Sequence, residues 1–195
     1  MSNKNPRELD NLNFEVFPRG IHVRLVREEE FEALYKLGVR HFGEDIASFD
    51  VVRRIVEHNP ESAYSIGRFD RTGHFKPMGY VALLFLRRAG VDALTRGQLN
   101  AADPDLSLLV RKGEPVSGIY VWGIVATGKA IAGVPLVMNV LKRPPYADAD
   151  LYARPASVAG MNLMLALRFK LIFEGAGAGD KPLYRYRRMV NRRAA

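Results

Sequence analysis

The sequence predicts a mixed α/β fold, a mostly antiparallel sheet with helices on both faces. Three observations carry this. Apolar or alternating runs of strand length recur at 21–26, 63–70, 77–86, 117–126 and 149–156. Between them, apolar residues fall at helical spacing over 28–42, 48–60, 133–142 and 157–169. The central strands come as a hairpin rather than as βαβ units, so a doubly wound order is excluded.

Residues 1–19 show no clear period and end at Pro18, so they form a poorly ordered or edge-docking lead-in, with 20–195 as a single domain. "IHVRLV" (21–26) alternates like a half-buried strand. Arg27 and three glutamates follow. Phe31, Leu34, Tyr35, Leu37 and Phe42 then lie at helical spacing, with the acids where the helix dipole favours them. "SFDVVRRIVEHNP" opens on a capping serine and closes at Asn-Pro, a second helix.

"AYSIGRFD" and "PMGYVALLFL" flank a "RTGHFK" turn and read as a hairpin. A short helix near 90–99 precedes an irregular excursion through Asp103-Pro104. "SGIYVWGIVA" (117–126) is the clearest strand of the chain, followed by a Gly/Ala-rich turn over 127–133 and a helix to about 142. A strand at 149–156, a helix at 157–169 capped by Ser157, and two last strands around a glycine loop complete the order. That loop, "GAGAG" (175–179), precedes no helix and is a hairpin loop rather than a phosphate loop.

Composition narrows the function. The chain of 195 residues is 48% hydrophobic and 26% charged, ordinary values for a soluble globular domain. Its apolar runs are broken well short of the roughly 20 residues of a membrane span. The polar N-terminus matches neither a signal nor a transit peptide, and no membrane partner is expected. There is no cysteine, hence no disulfide, thiolate metal site or thiol nucleophile. A cytoplasmic location is the expectation. The net charge of +8 includes "RYRRMVNRR" (185–193), with five arginines and no acid. Without an accompanying recognition motif, this reads as a solvated end rather than a nucleic-acid contact, and suits a polyanionic ligand such as a nucleotide cofactor.

The turn "TGKAIAGVPLV" holds the main functional signal. A loop of small residues brings backbone N–H groups close to an anion, and the helix behind it adds positive charge. The same small residues also permit close packing of loop on strand. Together with the order of elements over about 21–190, this turn resembles the GNAT superfamily of acyl-CoA-dependent N-acyltransferases. It matches that family's Arg/Gln-Gly-x-Gly-x-Gly/Ala loop, with Thr127 at the basic or amide position and alanines at 130 and 132.

The resemblance implies a central sheet splayed in the middle, and acetyl-CoA or another acyl-CoA as co-substrate, without a metal. It places the diphosphate on Thr127, Gly128, Lys129, Ala130, Ile131, Ala132 and Gly133, with Ile131 turning back into the core. It sets the pantetheine arm along Trp122, Gly123, Ile124, Val125 and Ala126, with a bulge at Gly123, and a polar contact at Asn162. The acceptor is an amine, from a small molecule or a peptide, and a homodimer is among the expected assemblies. Non-catalytic acyl-CoA binding and a basic interaction module are the alternatives.

The family's acid/base pair is not visible. "SGIYVWGIVA" contains no Asp, Glu or His. The candidates left are Glu114 just upstream, Tyr152 in the next strand and Ser157 at the start of the last helix. Tyr152 is equally a half-buried strand residue and Ser157 equally an N-cap. His22, His41, His58 and His74 share no ligand spacing. The resemblance implies an acceptor pocket shaped by 28–58 and 88–116, and the first of these carries Tyr35, Arg40, His41, Phe42, Glu44, Asp45 and Phe49.

Overall fold

A computed structural model describes residues 20–43, 46–174 and 181–188. The lead-in at 1–19, Glu44 and Asp45, the glycine loop and the arginines after residue 188 lie outside the described residues.

Among the described residues, seven strands form one sheet in the order β1-β2-β3-β4-β5-β7-β6. They are β1 His22–Leu25, β2 Ala63–Phe69, β3 Phe75–Leu86, β4 Gly118–Ala126, β5 Asp150–Ala153, β6 Lys170–Phe173 and β7 Leu183–Tyr186. Every pairing is antiparallel except β4 with β5. The helices are α1 Glu28–Phe42, α2 Phe49–His58, α3 Arg88–Thr95, α4 Val134–Val140 and α5 Val158–Ala166.

Local chemistry explains several boundaries. Glu30 reaches back to the N–H of Arg27 at the start of α1, and Ser48 accepts from Val51 N at the start of α2. The helix expected near 90–99 begins earlier and stops at Thr95. Gly97, at φ +72°, then turns the chain away. The helix expected over 157–169 ends at Ala166, and Arg168, at φ +64°, reverses the direction. The helix expected from about 133 is preceded by a 3-10 turn over Gly128–Gly133, so winding starts straight after β4.

The sheet has a core on each face. Val81, Leu83, Phe85, Ile119 and Leu151 pack with Val137 and Met138 of α4 and the following Leu141, beside Met161 and Met164 of α5 and the following Leu167. On the opposite face Leu84, Leu86, Tyr120, Tyr152 and Leu183 meet Val51 and Ile55 of α2 and Val91 and Leu94 of α3. The largest of these side chains are fully buried, which is where most of the hydrophobic stabilisation arises.

Two tyrosines, Tyr64 buried in the core and Tyr80 half-buried, link this packing to pH. Burial, reinforced for Tyr64 by the charge of Glu61, pushes Tyr64 up to about 12, and burial alone pushes Tyr80 up to about 12. The folded state therefore holds these protons more tightly than the unfolded chain, whose tyrosines ionise near 10. Their contribution is complete below about pH 10 and is lost as pH rises towards 12. Urea midpoints should be flat from pH 7 to 9 and fall above pH 10, and Tyr80→Phe should shallow that alkaline fall.

A second expectation concerns Gly133. A Cβ there would lie 2.3 Å from Cγ2 of Ile66, which is fully buried. Gly133→Ala should cost about 1–3 kcal/mol, read as a melting temperature lower by several degrees.

Candidate functional site: the opening between β4 and β5

β4 is paired to β3 along its whole length, from Gly118 opposite Leu86 to Ala126 opposite Gly79. On its other side it is paired to β5 only from Gly118 to Val121, opposite Asp150 to Ala153. Beyond Val121 the two parallel strands part, and the edge of β4 over 122–126 has no strand beside it among the described residues. Backbone groups along such an edge remain available to a ligand. The sheet is splayed where the resemblance placed the opening.

The parting coincides with an irregularity. Ala82 faces Gly123 and Leu83 faces Val121, so Trp122 is the extra residue on β4. The bulge falls one residue before the expected Gly123. Gly123 borders the extra residue, and a Cβ on it would meet Phe42 and Tyr80 at 3.8 Å, ordinary contact, so space alone does not require glycine there. Trp122 is held by its indole N–H, which donates to the carbonyl of Ala101 at 2.8 Å. This bond joins the irregular segment 96–117 to the bulge, which no local pattern in the sequence announces.

Both chain segments that leave the parted strands become helical at the same end of the sheet. β4 runs into the 3-10 turn and α4, β5 into α5, and ligands of α/β sheets bind at such carboxyl ends. In the turn, three residues per revolution put Ala130 and Gly133 on one side. Ala130 is fully buried, near Gly79, and Gly133 presses on Ile66. Thr127, Gly128 and Lys129 face outward. Ile131 is 54% exposed and does not turn back into the core, which corrects the expectation of an inward side chain. The periodicity of the turn decides this, since Ile131 lies a third of a turn from Ala130.

The small residues thus divide between the two readings of the loop. Ala130 and Gly133 serve close packing. Gly128 does not, because a Cβ there would meet nothing within 4 Å, whereas its φ of +55° is a conformation that favours glycine. The N–H of Ala130 already donates to Thr127 O. The N–H groups of Gly128 and Lys129 begin the turn and have no partner within it. Lys129 is exposed and makes no ion pair among the described residues. An anion can meet this stretch without displacing a bond. Ala132, half-buried, lies on the far side of the turn. Along β4, Ile124 is 37% exposed, Val125 is buried and Ala126 half-buried.

The remaining candidates are placed as follows. Ser157 is exposed and caps α5, accepting from Gly160 N at 3.1 Å. Asn162 is exposed on α5. Glu114 accepts from the guanidinium of Arg87 at 2.6 Å and from Arg111 N at 2.8 Å. Those two bonds, the backbone N–H foremost, hold its carboxyl below the usual range. Glu114 lies before β4 begins, beyond the paired end of the strands and away from the opening. Tyr152 is buried, with its ring over Gly118, and burial raises its hydroxyl pKa. All four side chains have structural partners or exposure that account for them.

Two residues that sequence reasoning passed over stand at the opening. Tyr120, buried beside Tyr152, immediately precedes the last paired residue of β4. Burial raises its pKa while the charge of Arg154 opposes the shift, so it stays protonated at neutral pH. Arg154 directly follows β5, with its guanidinium bonded to the carbonyl of Lys181 and 5.7 Å from the ring centre of Phe173. Their alternation within strand runs was legible, but their meeting depends on the β4–β5 register. Among the described residues, no group of three or more His, Asp or Glu could hold a metal ion, and no helix is long and apolar enough to cross a membrane.

The sheet is mixed and parted between its fourth and fifth strands, with a helical turn at the parting. No protein-family model and no curated protein matches the sequence. Solved structures match the fold. The chain of a NatC complex bound to Gag peptide and CoA superposes with a TM-score of 0.54 at 15% identity, over 85% of this chain and 96% of that one. A GNAT-family acetyltransferase from Streptococcus agalactiae gives 0.54 at 12%, over 89% and 98%. NAA60 from Arabidopsis thaliana, in complex with acetyl-CoA, gives 0.51 at 12%, over 85% and 98%. The chain has the GNAT acetyltransferase fold.

The Trp122 anchor can be checked directly. Trp122→Phe keeps the ring and removes the bond to Ala101, and should cost about 0.5–1.5 kcal/mol. Amide exchange should rise in 98–106 well before it rises in β3.

Proposed function

We propose that this chain is an acyl-CoA-dependent N-acyltransferase that uses acetyl-CoA and acts on an amine acceptor. The observation that carries the reading is the edge of β4 over 122–126, unpaired on one side among the described residues, leading into a turn whose first residues are exposed and whose first N–H groups have no partner within it. An extended, amide-bearing arm can pair with the edge while its anionic end meets Thr127, Gly128 and Lys129. No carboxylate occurs between Gly118 and Arg143 to repel that anion. The residues present therefore fit acyl-CoA.

Acetyl-CoA supplies an activated thioester. The chain's part is to hold it and to exclude water around it. As the amine attacks, a C–N bond forms and the C–S bond breaks. The acceptor enters as a neutral amine, and the proton it loses on becoming an amide balances the one gained by the CoA thiolate. Burial raises the Tyr120 hydroxyl above its usual range, so it holds its proton at physiological pH. A peptide amine is the acceptor class best supported, because the fold neighbours include a NatC complex with a peptide and a Naa20 from Chaetomium thermophilum with a bisubstrate analogue.

Binding is tested by thermal unfolding with acetyl-CoA. At a hundredfold excess over Kd, a ligand of the folded state adds about 2.7 kcal/mol, a rise of about 5–10 °C for a chain of this size. Lys129→Glu, at an exposed position, should abolish most of the shift, and Thr127→Arg should enlarge it. No shift at millimolar acetyl-CoA would remove the proposal. Release of free CoA on adding peptides, against small amines, then identifies the acceptor class, and binding without release on any acceptor would point to the non-catalytic alternative.

A further inference from the structure

Arg154 differs from the other arginines on the α2/α3 side of the sheet. Arg54 is tied to Asp103, Arg88 to Asp92 and Arg185 to Asp150. Arg154 has no carboxylate within ion-pair reach among the described residues. Its guanidinium donates through one Nη to the carbonyl of Lys181 and lies 5.7 Å from the ring centre of Phe173. The side chain is half-buried. A charge partly withdrawn from water without a counter-charge is costly, and the cost falls when an anion arrives.

The face on which Arg154 lies follows from β5. Leu151 and Ala153 belong to the core under α4 and α5, and Tyr152 to the core under α2 and α3. The next position in the alternation, Arg154, turns to the side of Tyr152. Its neighbour Phe173 packs against that same core. The hydroxyl of Tyr120, in the same core, feels the charge of Arg154 with no carboxylate set against it. The hydroxyl of Tyr152, by contrast, feels Arg185 and Arg88 opposed by Asp150 and Asp92.

Position along the strands separates Arg154 from the diphosphate. Ala153 pairs with Val121, so Arg154 follows at the level of Trp122, where the edge of β4 opens. Thr127 lies five residues of extended chain farther on, about 16 Å. The turn that Thr127 begins is packed on the other face, through Ala130 and through Gly133 against Ile66. A charge that far away adds little to the binding of phosphates. Arg154 stands instead at the end of the edge away from the phosphates, on the face of α2 and α3.

We infer that Arg154 receives a carboxylate of the acceptor, so that this chain selects amines bearing an acidic group near the reacting nitrogen. The inference rests on the acyl-CoA reading above and adds to it the charge of the acceptor. A guanidinium offers five N–H donors in a planar fork. The bond to Lys181 engages one Nη, so the edge formed by Nε and the other Nη remains for a carboxylate. Lys181 and Phe173 hold the fork in place, which lowers the entropy lost on binding. The same charge repels a cationic acceptor such as a polyamine. An acidic side chain near the start of a peptide and the carboxylate of a free amino acid both carry this chemistry.

The test is calorimetric titration of the chain saturated with free CoA, which needs no turnover. One arm compares peptides that differ only in a second residue of Asp, Asn or Lys. The other compares free alanine with alaninamide. In one arm the carboxylate should bind about tenfold tighter than its neutral counterpart, and the arm that responds names the source. The Lys peptide should bind more weakly than the Asn peptide. Arg154→Gln should bring the responding ratio close to one while CoA affinity stays as it was, which also shows that the variant is folded. Arg154→Lys should keep part of the ratio, since the charge remains without the fork. Ratios near one in both arms of the unaltered chain would overturn the inference. So would a ratio that survives Arg154→Gln, or no binding of any of these amines at millimolar concentration while CoA binds. Failure of CoA itself to bind the unaltered chain would remove the acyl-CoA reading, and this inference with it.

Discussion

Hydrogen bonding of β4 is lopsided, and the functional geometry depends on that. On one side β3 binds it from end to end, while on the other β5 binds it for four residues and leaves. A strand so held is rigid, because one complete ladder fixes its position, and yet it presents an open edge. An edge in water invites pairing with any extended amide chain. Here the edge is short and interior to the sheet, closed below by β5 and above by the 3-10 turn. It can accept a short ligand without templating another strand.

The bulge and its anchor set where that edge begins. Trp122 takes up the extra residue, and its indole bond to Ala101 ties the bulge to the long segment between α3 and β4. The face on which Gly123 lies follows from the bulge, and the neighbourhood of Phe42 and Tyr80 follows from the face. The turn after β4 works by a similar division of labour. Ala130 and Gly133 press the turn onto the sheet, and this leaves Thr127, Gly128 and Lys129 outward. Packing and ligand approach are thus served by different residues of one short motif, and close packing is what orients the open side.

Much of the fold was legible in the chain. The hairpin of β2 and β3, the β4 strand, Ser48 and Ser157 as caps and the small-residue turn all follow from local pattern and local hydrogen bonding. Boundaries moved where positive φ ended a helix, at Gly97 and Arg168, since a sequence pattern does not display dihedral angles. The site was legible as a stretch, 122–133, but not side chain by side chain. Ile131 was expected inward and points out. Glu114, a candidate acid by proximity in sequence, is bound to Arg87 at the far end of the strand. Tyr120 on β4 and Arg154 just after β5, close to the opening, are brought together by a strand register that no single segment reveals.

The sequence alone determined that a strand leads into a bare, helix-starting turn, because strand alternation, small residues and helix periodicity are properties of neighbours along the chain. It carried as well the GNAT resemblance that the fold bears out. Tertiary structure alone decided that β5 leaves β4 after Val121, that the extra residue is Trp122, and that Gly123 faces α1. Those facts are relations between segments far apart in the chain. They are settled by which pairing buries both cores at once, and a change of one residue in register would reverse them.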